Sequence, residues 1–152
     1  MAQIRPFAAL RPQPAQAAAV ASRPYDVLNS NEAREVVANN PLSFLQVTKS
    51  EVSLSPDIDI HSDLVYEQAK KNLNAMIEQG ILIRESKPCY YIYALTMDGR
   101  TQTGLVAGSS VDDYNNDVIK KHEFTRPQKE QDRINHIATT KAQTGNVFLA
   151  YR

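Results

Sequence analysis

The chain has one cysteine, Cys89, in 152 residues. A lone thiol excludes an intramolecular disulfide framework and any zinc site built on cysteines. It also lacks an excess of either charge: Lys and Arg number 17, Asp and Glu number 17, and the formal net charge is zero. Nucleic-acid-binding domains are typically basic, so neutrality weighs against that class, although it leaves room for local patches. No apolar run approaches the length of a membrane span. The nearest is Ala15 to Ala21, mostly alanine and preceded by Arg5, Pro6, Arg11, Pro12 and Pro14, which argues against a secretory signal. Glycine loops of the phosphate-binding kind are missing too. Gly104 and Gly108 are too closely spaced for a P-loop and no lysine follows them, and no G-x-G-x-x-G occurs. His122-Glu123 fails the zincin pattern because Arg126 stands where the second histidine belongs, and His61, His122 and His136 share no ligand spacing, so no metal site built on histidines is expected. The sequence has no internal repeat.

What remains is ordinary globular material, 42% hydrophobic and 22% charged. It predicts one domain over residues 1–152, large enough to bury a core without staples, with residues 1–22 as an extended or partly ordered arm. A helix is expected over Asn29–Asn39, with Asn29 and Glu32 as a capping box. Ser43–Thr48 reads as a strand. Between Glu51 and Glu67 the acidic groups Glu51, Asp57, Asp59, Asp63 and Glu67 suggest a solvated loop entering a helix. That helix runs from about Ser62, its expected N-cap, to Gln79; Val65, Ala69, Leu73, Met76 and Ile77 recur at helical spacing and Gly80 ends it. Ile81–Ile83 begins a strand region. Cys89–Met97 and Arg100–Gly108 flank Asp98-Gly99, a strong two-residue hairpin signal that would set Gly104 opposite Tyr93. Val111–Asp117 reads as turn, Thr125 to about Lys141 as a second long helix, and Val147–Tyr151 as a final strand. The fold class expected is α+β: a mixed or antiparallel sheet with a central β-hairpin and two to three helices.

Chemistry concentrates at the start of the last helix. Thr125 and Gln128 have capping-box spacing and Pro127 falls in the first turn. Lys121, His122 and Glu123 arrive just before it, and Arg126 lies within it. Lys129, Asp132, Arg133 and His136 follow at i, i+3, i+4 and i+7, with Ile134, Ile137 and Ala138 as the expected buried face. Cations beside free amides suit a phosphate, and Glu123 or Asp132 is a candidate base or Mg²⁺ ligand. The plain alternative is a solvated amphipathic helix laced with charge pairs. A second group, Arg23-Pro24-Tyr25-Asp26-Val27 with Asn40-Pro41 and Ser43-Phe44-Leu45, offers Arg23, Tyr25 and Asp26 as ligand contacts, or Asp26 and Asn40 as turn and cap residues. Tyr90, Tyr91 and Tyr93 read as sheet residues, and Cys89 as an inert thiol.

The motifs Phe7-Ala-Ala-Leu-Arg-Pro12, Pro24-Tyr-Asp-Val27, Glu32-Ala-Arg34, Asn40-Pro-Leu-Ser-Phe-Leu45, Lys121-His-Glu-Phe-Thr125, Lys129-Glu-x-Asp-Arg133 and Thr144-Gly-x-Val-Phe-Leu149 stand in order along nearly the whole chain. In this the sequence resembles the N-terminal part of the domain of unknown function 1015 family. The resemblance implies a cytoplasmic protein more than twice this length, related to the ParB/sulfiredoxin-like superfamily, which includes free-serine kinases. It also implies a downstream Asp-Gly-His-His-Arg motif, which these 152 residues do not contain. From this follows the functional expectation: part of a nucleotide-dependent phosphotransferase acting on a small hydroxyl metabolite, plausibly free serine, with ATP or ADP and Mg²⁺ as cofactors. In it Glu123, His122 and Asp132 would be catalytic, and Lys121, Thr125, Arg126, Lys129, Arg133, Tyr25 and Asp26 would bind substrate or phosphate. The alternative is a non-catalytic module that binds a nucleotide or phosphometabolite. A nucleotide and a small metabolite are the partners expected, without membrane or nucleic acid.

Overall fold

The computed structural model describes residues 2–122 and 124–150. In chain order the elements are β1 (Ile4–Arg5), β2 (Leu10–Pro12), α1 (Ala17–Val20), α2 (Ser30–Asn39), α3 (Leu45–Thr48), α4 (Asp63–Glu78), β3 (Leu82–Arg84), β4 (Tyr91–Met97), β5 (Arg100–Val106), β6 (Gly108–Ser109), α5 (Val111–Asn115) and α6 (Pro127–Thr140). Three short 3-10 turns cover Pro14–Gln16, Tyr25–Val27 and Ser50–Ser53. Small two-stranded sheets pair β1 with β6, β2 with β3 and β4 with β5. The class is α+β, as the sequence implies, with three long helices and three short ones among the described residues.

The chain forms two compact units, one of residues 1–11 with 83–124 and the other of 12–82 with 125–152. The first is built on the hairpin. Asp98 and Gly99 both have positive φ, 51° and 73°, as a type I′ turn requires, and glycine takes that conformation without steric cost. The register follows, with Tyr93 opposite Gly104 and Thr96 opposite Thr101. Ile4 and Arg5 pair with Ser109 and Gly108, so the start of the chain is a strand of this unit. The phenol of Tyr91 donates to the Phe7 carbonyl at 2.9 Å and accepts from the Ala9 amide at 2.8 Å. Val111–Asn115 is one helical turn rather than a bare loop, because the Ser110 hydroxyl accepts the Asp113 amide at its start.

The second unit holds the helical core. The capping box of α2 forms on both sides: Asn29 accepts the amides of Asn31 and Glu32, and Glu32 accepts the Asn29 amide. On α4, Val65, Tyr66, Ala69, Leu73 and Met76 are buried, while Ile77 is exposed. Ser62 is the N-cap by position, but its buried hydroxyl makes no cap bond. Gly80, with φ 68°, ends the helix as expected.

Four sequence expectations give way here. Residues 43–48 are not a strand; Leu45–Thr48 is a helical turn. The apparent period of two is real in burial, since Ser43, Leu45 and Val47 are buried between less buried neighbours. A single turn enclosed on several sides produces that same alternation. The acidic stretch is not wholly solvated: Glu51 is only 5% exposed, held by Lys49 at 3.1 Å and the Ser30 hydroxyl at 3.0 Å. Residues 147–150 form no strand among the described residues, and Val147 and Phe148 are exposed; Tyr151 lies outside the described residues.

The fourth concerns α6, whose orientation is the reverse of its hydrophobic pattern. Ile134 is 50% exposed, Ile137 and Ala138 face outward, and the polar residues Asp132, Arg133, His136 and Thr140 turn inward. Burying polar groups costs free energy unless they find partners. Here they do: Asp132 is bonded from Tyr66, His136 lies 3.0 Å from the Val47 carbonyl, and the Thr140 hydroxyl donates to the His136 carbonyl at 2.7 Å.

Candidate functional site

The inward face of α6 meets α4 in a compact polar network within the second unit. At its centre is the Asp132 carboxylate. One oxygen, Oδ1, accepts the Tyr66 hydroxyl at 2.9 Å and lies 3.4 Å from Nδ1 of His61. The other, Oδ2, accepts two donors from Arg133, Nη2 at 2.7 Å and Nε at 3.1 Å. The Arg133 guanidinium in turn lies 4.3 Å from the Tyr25 ring centroid, in cation–π range. Two parts of the chain that look unrelated in the sequence, Tyr25 and the Asp132-Arg133 pair, are therefore one constellation.

Its electrostatics follow from this geometry. Partial burial by itself would raise the Asp132 carboxyl; the hydrogen bonds from Arg133 and Tyr66, the Arg133 charge and His61 outweigh it and hold the group below the ordinary carboxylate range. Tyr66 is pushed up, first by burial and then by its bond to and the charge of Asp132, so it remains a proton donor. Burial lowers His136, opposed by its bond to the Val47 carbonyl and reinforced by the Arg133 charge. A neutral His136 donates from Nε2 to that carbonyl, and its buried Nδ1 meets no hydrogen-bond partner among the described residues.

The remaining candidates sit elsewhere. Thr125 does not cap α6; its hydroxyl donates to Glu130 Oε2 at 2.7 Å, and the N-cap is Arg126, which makes no side-chain cap bond. The cause is Pro127, which occupies the first helical position and shifts the helix start one residue beyond the capping-box register. Thr125, Arg126 and Lys129 are exposed, and Lys129 does not join the inward face. Lys121 and His122 belong to the other unit. There Lys121 lies 3.6 Å from Asp117 and 4.7 Å from the Tyr114 ring centroid. Glu123 lies outside the described residues. Asp26 is exposed in the 3-10 turn that carries Tyr25. An open cleft of about 500 Å³ runs beside α2, lined in part by Arg23, Glu32, Glu35 and Asn39.

Sequence reasoning missed two members, Tyr66 and His61. Tyr66 sits at a core position of α4, where its ring reads as packing, and only its hydroxyl marks it as a partner for a buried acid. His61 has no metal-ligand spacing, and nothing beside it in the sequence points to its approach to Asp132.

Residues 4–152 match the family model described as Protein of unknown function (DUF1015). The chain belongs to this family. No curated protein and no solved structure shows a significant match to it.

Several motif residues that carry the DUF1015 resemblance are accounted for by the fold. Arg34 donates to the carbonyls of Glu51, Val52 and Leu54 at 2.7, 2.9 and 2.7 Å, closing the turn after α3. Glu32 completes the α2 capping box. Asn40 donates to the Ala19 carbonyl at 2.6 Å and accepts the Leu42 amide. Tyr25, Asp132 and Arg133 are the motif residues that meet in the polar network. Direct Mg²⁺ ligation does not fit Asp132 in this arrangement, since both its oxygens are occupied by protein donors. Among the described residues, no three His, Cys, Asp or Glu side chains gather as a metal site. No helix of the described residues is long and apolar enough to cross a membrane.

Proposed function

We infer that the chain is part of a cytoplasmic, phosphate-handling protein that transfers a phosphoryl group between a nucleotide and a small hydroxyl metabolite, free serine being the first candidate. The observation that carries this reading is the Tyr25–Arg133–Asp132–Tyr66 constellation: a carboxylate kept ionised beside a guanidinium, braced by two phenols. Phosphoryl transfer asks the protein mainly for positioning and charge neutralisation. In the proposed role Arg133 turns from Asp132 to a phosphate oxygen, and the released carboxylate accepts the proton of the substrate hydroxyl. Lys121, His122 and Glu123 belong to the proposal through the motif they share with the family, as does the link to the ParB/sulfiredoxin-like superfamily. ATP or ADP with Mg²⁺ is the cofactor proposed.

The test is phosphoserine formation and nucleotide turnover by the protein as encoded in its gene, wild type against Asp132→Asn, Arg133→Ala and Glu123→Gln. Turnover that depends on serine and falls at least a hundredfold in Asp132→Asn supports the assignment. Equal turnover in all four overturns it.

One observation favours a second reading, a binding module without catalysis of its own: Asp132 is saturated by protein donors and resembles a structural acid. Calorimetry with ATP, ADP and phosphoserine separates the two. Binding without turnover selects the module.

A further inference from the structure

The two oxygens of Asp132 have different partners. Oδ2 accepts from Arg133, through Nη2 at 2.7 Å and Nε at 3.1 Å, while Oδ1 meets the Tyr66 hydroxyl at 2.9 Å and His61 Nδ1 at 3.4 Å. Arg133 can therefore leave Oδ2 without disturbing the groups on Oδ1. What its departure removes is charge. Among the described residues, Arg133 is the permanent cation in contact with Asp132, and the Tyr66 phenol is neutral. A partly buried carboxylate left without a cation is costly. Of the groups that remain, only His61 can supply a positive charge, because histidine is the side chain that ordinarily gains or loses a proton between about pH 5 and 8.

The backbone holds His61 in place for that role. Its amide donates to Asp59 Oδ1 at 2.9 Å, and the Ser62 amide donates to the Asp59 carbonyl at 3.0 Å, an Asx turn just ahead of α4. The ring is 59% exposed, so it exchanges protons with water. The charged and titratable groups around it are Asp132 and Arg133 of α6, Tyr66 and Asp63 of α4, and Asp59 of its own turn. Among the described residues, the carboxylate within ion-pair distance of the ring is that of Asp132.

Arg133 is equally prepared to change partners. A guanidinium carries five N–H donors, and Asp132 takes two of them. The Tyr25 ring supports its face at 4.3 Å, which leaves its edge for acceptors. An edge that grips a carboxylate grips two oxygens of a tetrahedral oxyanion in the same bidentate manner.

We propose that this site exchanges partners at the expense of one proton: Arg133 passes from Asp132 to a tetrahedral oxyanion of the phosphate class, and His61 takes a proton from water and replaces Arg133 as the cation on Asp132. The proposal rests on the phosphate reading of Arg133 given above and adds its regulation. At low pH an imidazolium already compensates Asp132, so Arg133 is released at less cost and the anion binds more tightly. At high pH the anion must also draw a proton onto His61. Linkage makes the effect mutual, so the bound anion favours the protonated ring by the same factor.

The experiment is NMR on the whole chain, with sulfate as the probe. Sulfate stays a dianion across the neutral range, whereas phosphate itself titrates there, and added chloride holds the ionic strength constant. The Arg133 Nε–H signal reports the anion, and the His61 ring C–H signals report its proton. The Arg133 signal is expected to move with sulfate, with an apparent Kd roughly fivefold or more tighter at about pH 6 than at about pH 8. Sulfate added between these limits drives the His61 ring toward imidazolium. His61→Gln removes the pH dependence, and His136→Gln keeps it. Binding at Arg133 that is equally tight at both ends, or that leaves the His61 ring unmoved, overturns the exchange while the phosphate reading stands. So does a pH dependence that survives in His61→Gln or vanishes in His136→Gln. An Arg133 signal indifferent to sulfate at every pH overturns the phosphate reading and the exchange with it.

Discussion

The Tyr66 hydroxyl on α4 donates a 2.9 Å hydrogen bond to Asp132 on α6, joining the two longest helices through a buried phenol and an ionised acid. Removing the donor leaves Asp132 with fewer bonds to offset its desolvation. Tyr66→Phe is expected to cost about 1–3 kcal/mol in urea unfolding, the range for a bond to a charged group. It also raises the Asp132 pKa, which carboxyl NMR titration reads directly.

Acid should act on the second unit through two groups. Asp132 has its folded pKa below the ordinary 3.8, so its stabilisation is present above 3.8 and is lost as pH falls through the folded value. His136 is also lowered, from 6.5, so it favours the folded state fully above 6.5 and progressively less as pH falls through its folded value. His136→Gln, whose amide can keep the bond to the Val47 carbonyl, is expected to flatten the pH dependence of the melting temperature that begins below 6.5. Asp132→Asn should leave that region intact and flatten the limb below 3.8.

Arg34 donates to three carbonyls around the Ser50–Ser53 turn. Arg34→Ala leaves them without these donors and is expected to lower stability by about 2–4 kcal/mol in chemical denaturation. Arg34→Lys should recover little, because an ammonium cannot reproduce the planar fork.

The reversed face of α6 gives an unusual pair of outcomes. Ile134→Glu is expected to change stability by no more than about 0.5 kcal/mol, as for an exposed position. Thr140→Val, which removes a hydroxyl bonded to the helix backbone at a buried site, should cost more. Both are read from thermal unfolding, and a large loss in Ile134→Glu would contradict the orientation described.

Much of the fold was legible because local chemistry decided it. Asn29 and Glu32 announce a capping box and Asp98-Gly99 a I′ turn, and the structure contains both. The spacing of Val65, Ala69, Leu73 and Met76 places the buried side of α4. Failures came where long-range partners outvote local pattern. Nothing near Glu51 shows that Ser30 will cover it, and nothing near Ile134 shows that Tyr66 and Val47 will draw the opposite face of the helix inward. The candidate site divides in the same way. Asp132 and Arg133 were legible as an adjacent charge pair on a helix, and Tyr25 as an aromatic among turn residues. Tyr66 was not, because a tyrosine at a core position gives no local sign of the acid it will meet.

The pairing of β1 with β6 sets a schedule. Gln3 donates its amide to Asp113 at 2.6 Å, 110 residues further along the chain. At about 5–20 residues synthesised per second, the first strand waits on the order of 5–20 s for its partner to leave the ribosome. During that interval residues 12–82 are already available to begin helical packing. Strand β1 is thus made well before its partner and secured late, with the apolar Ile4 and Phe7 unpaired in the interval.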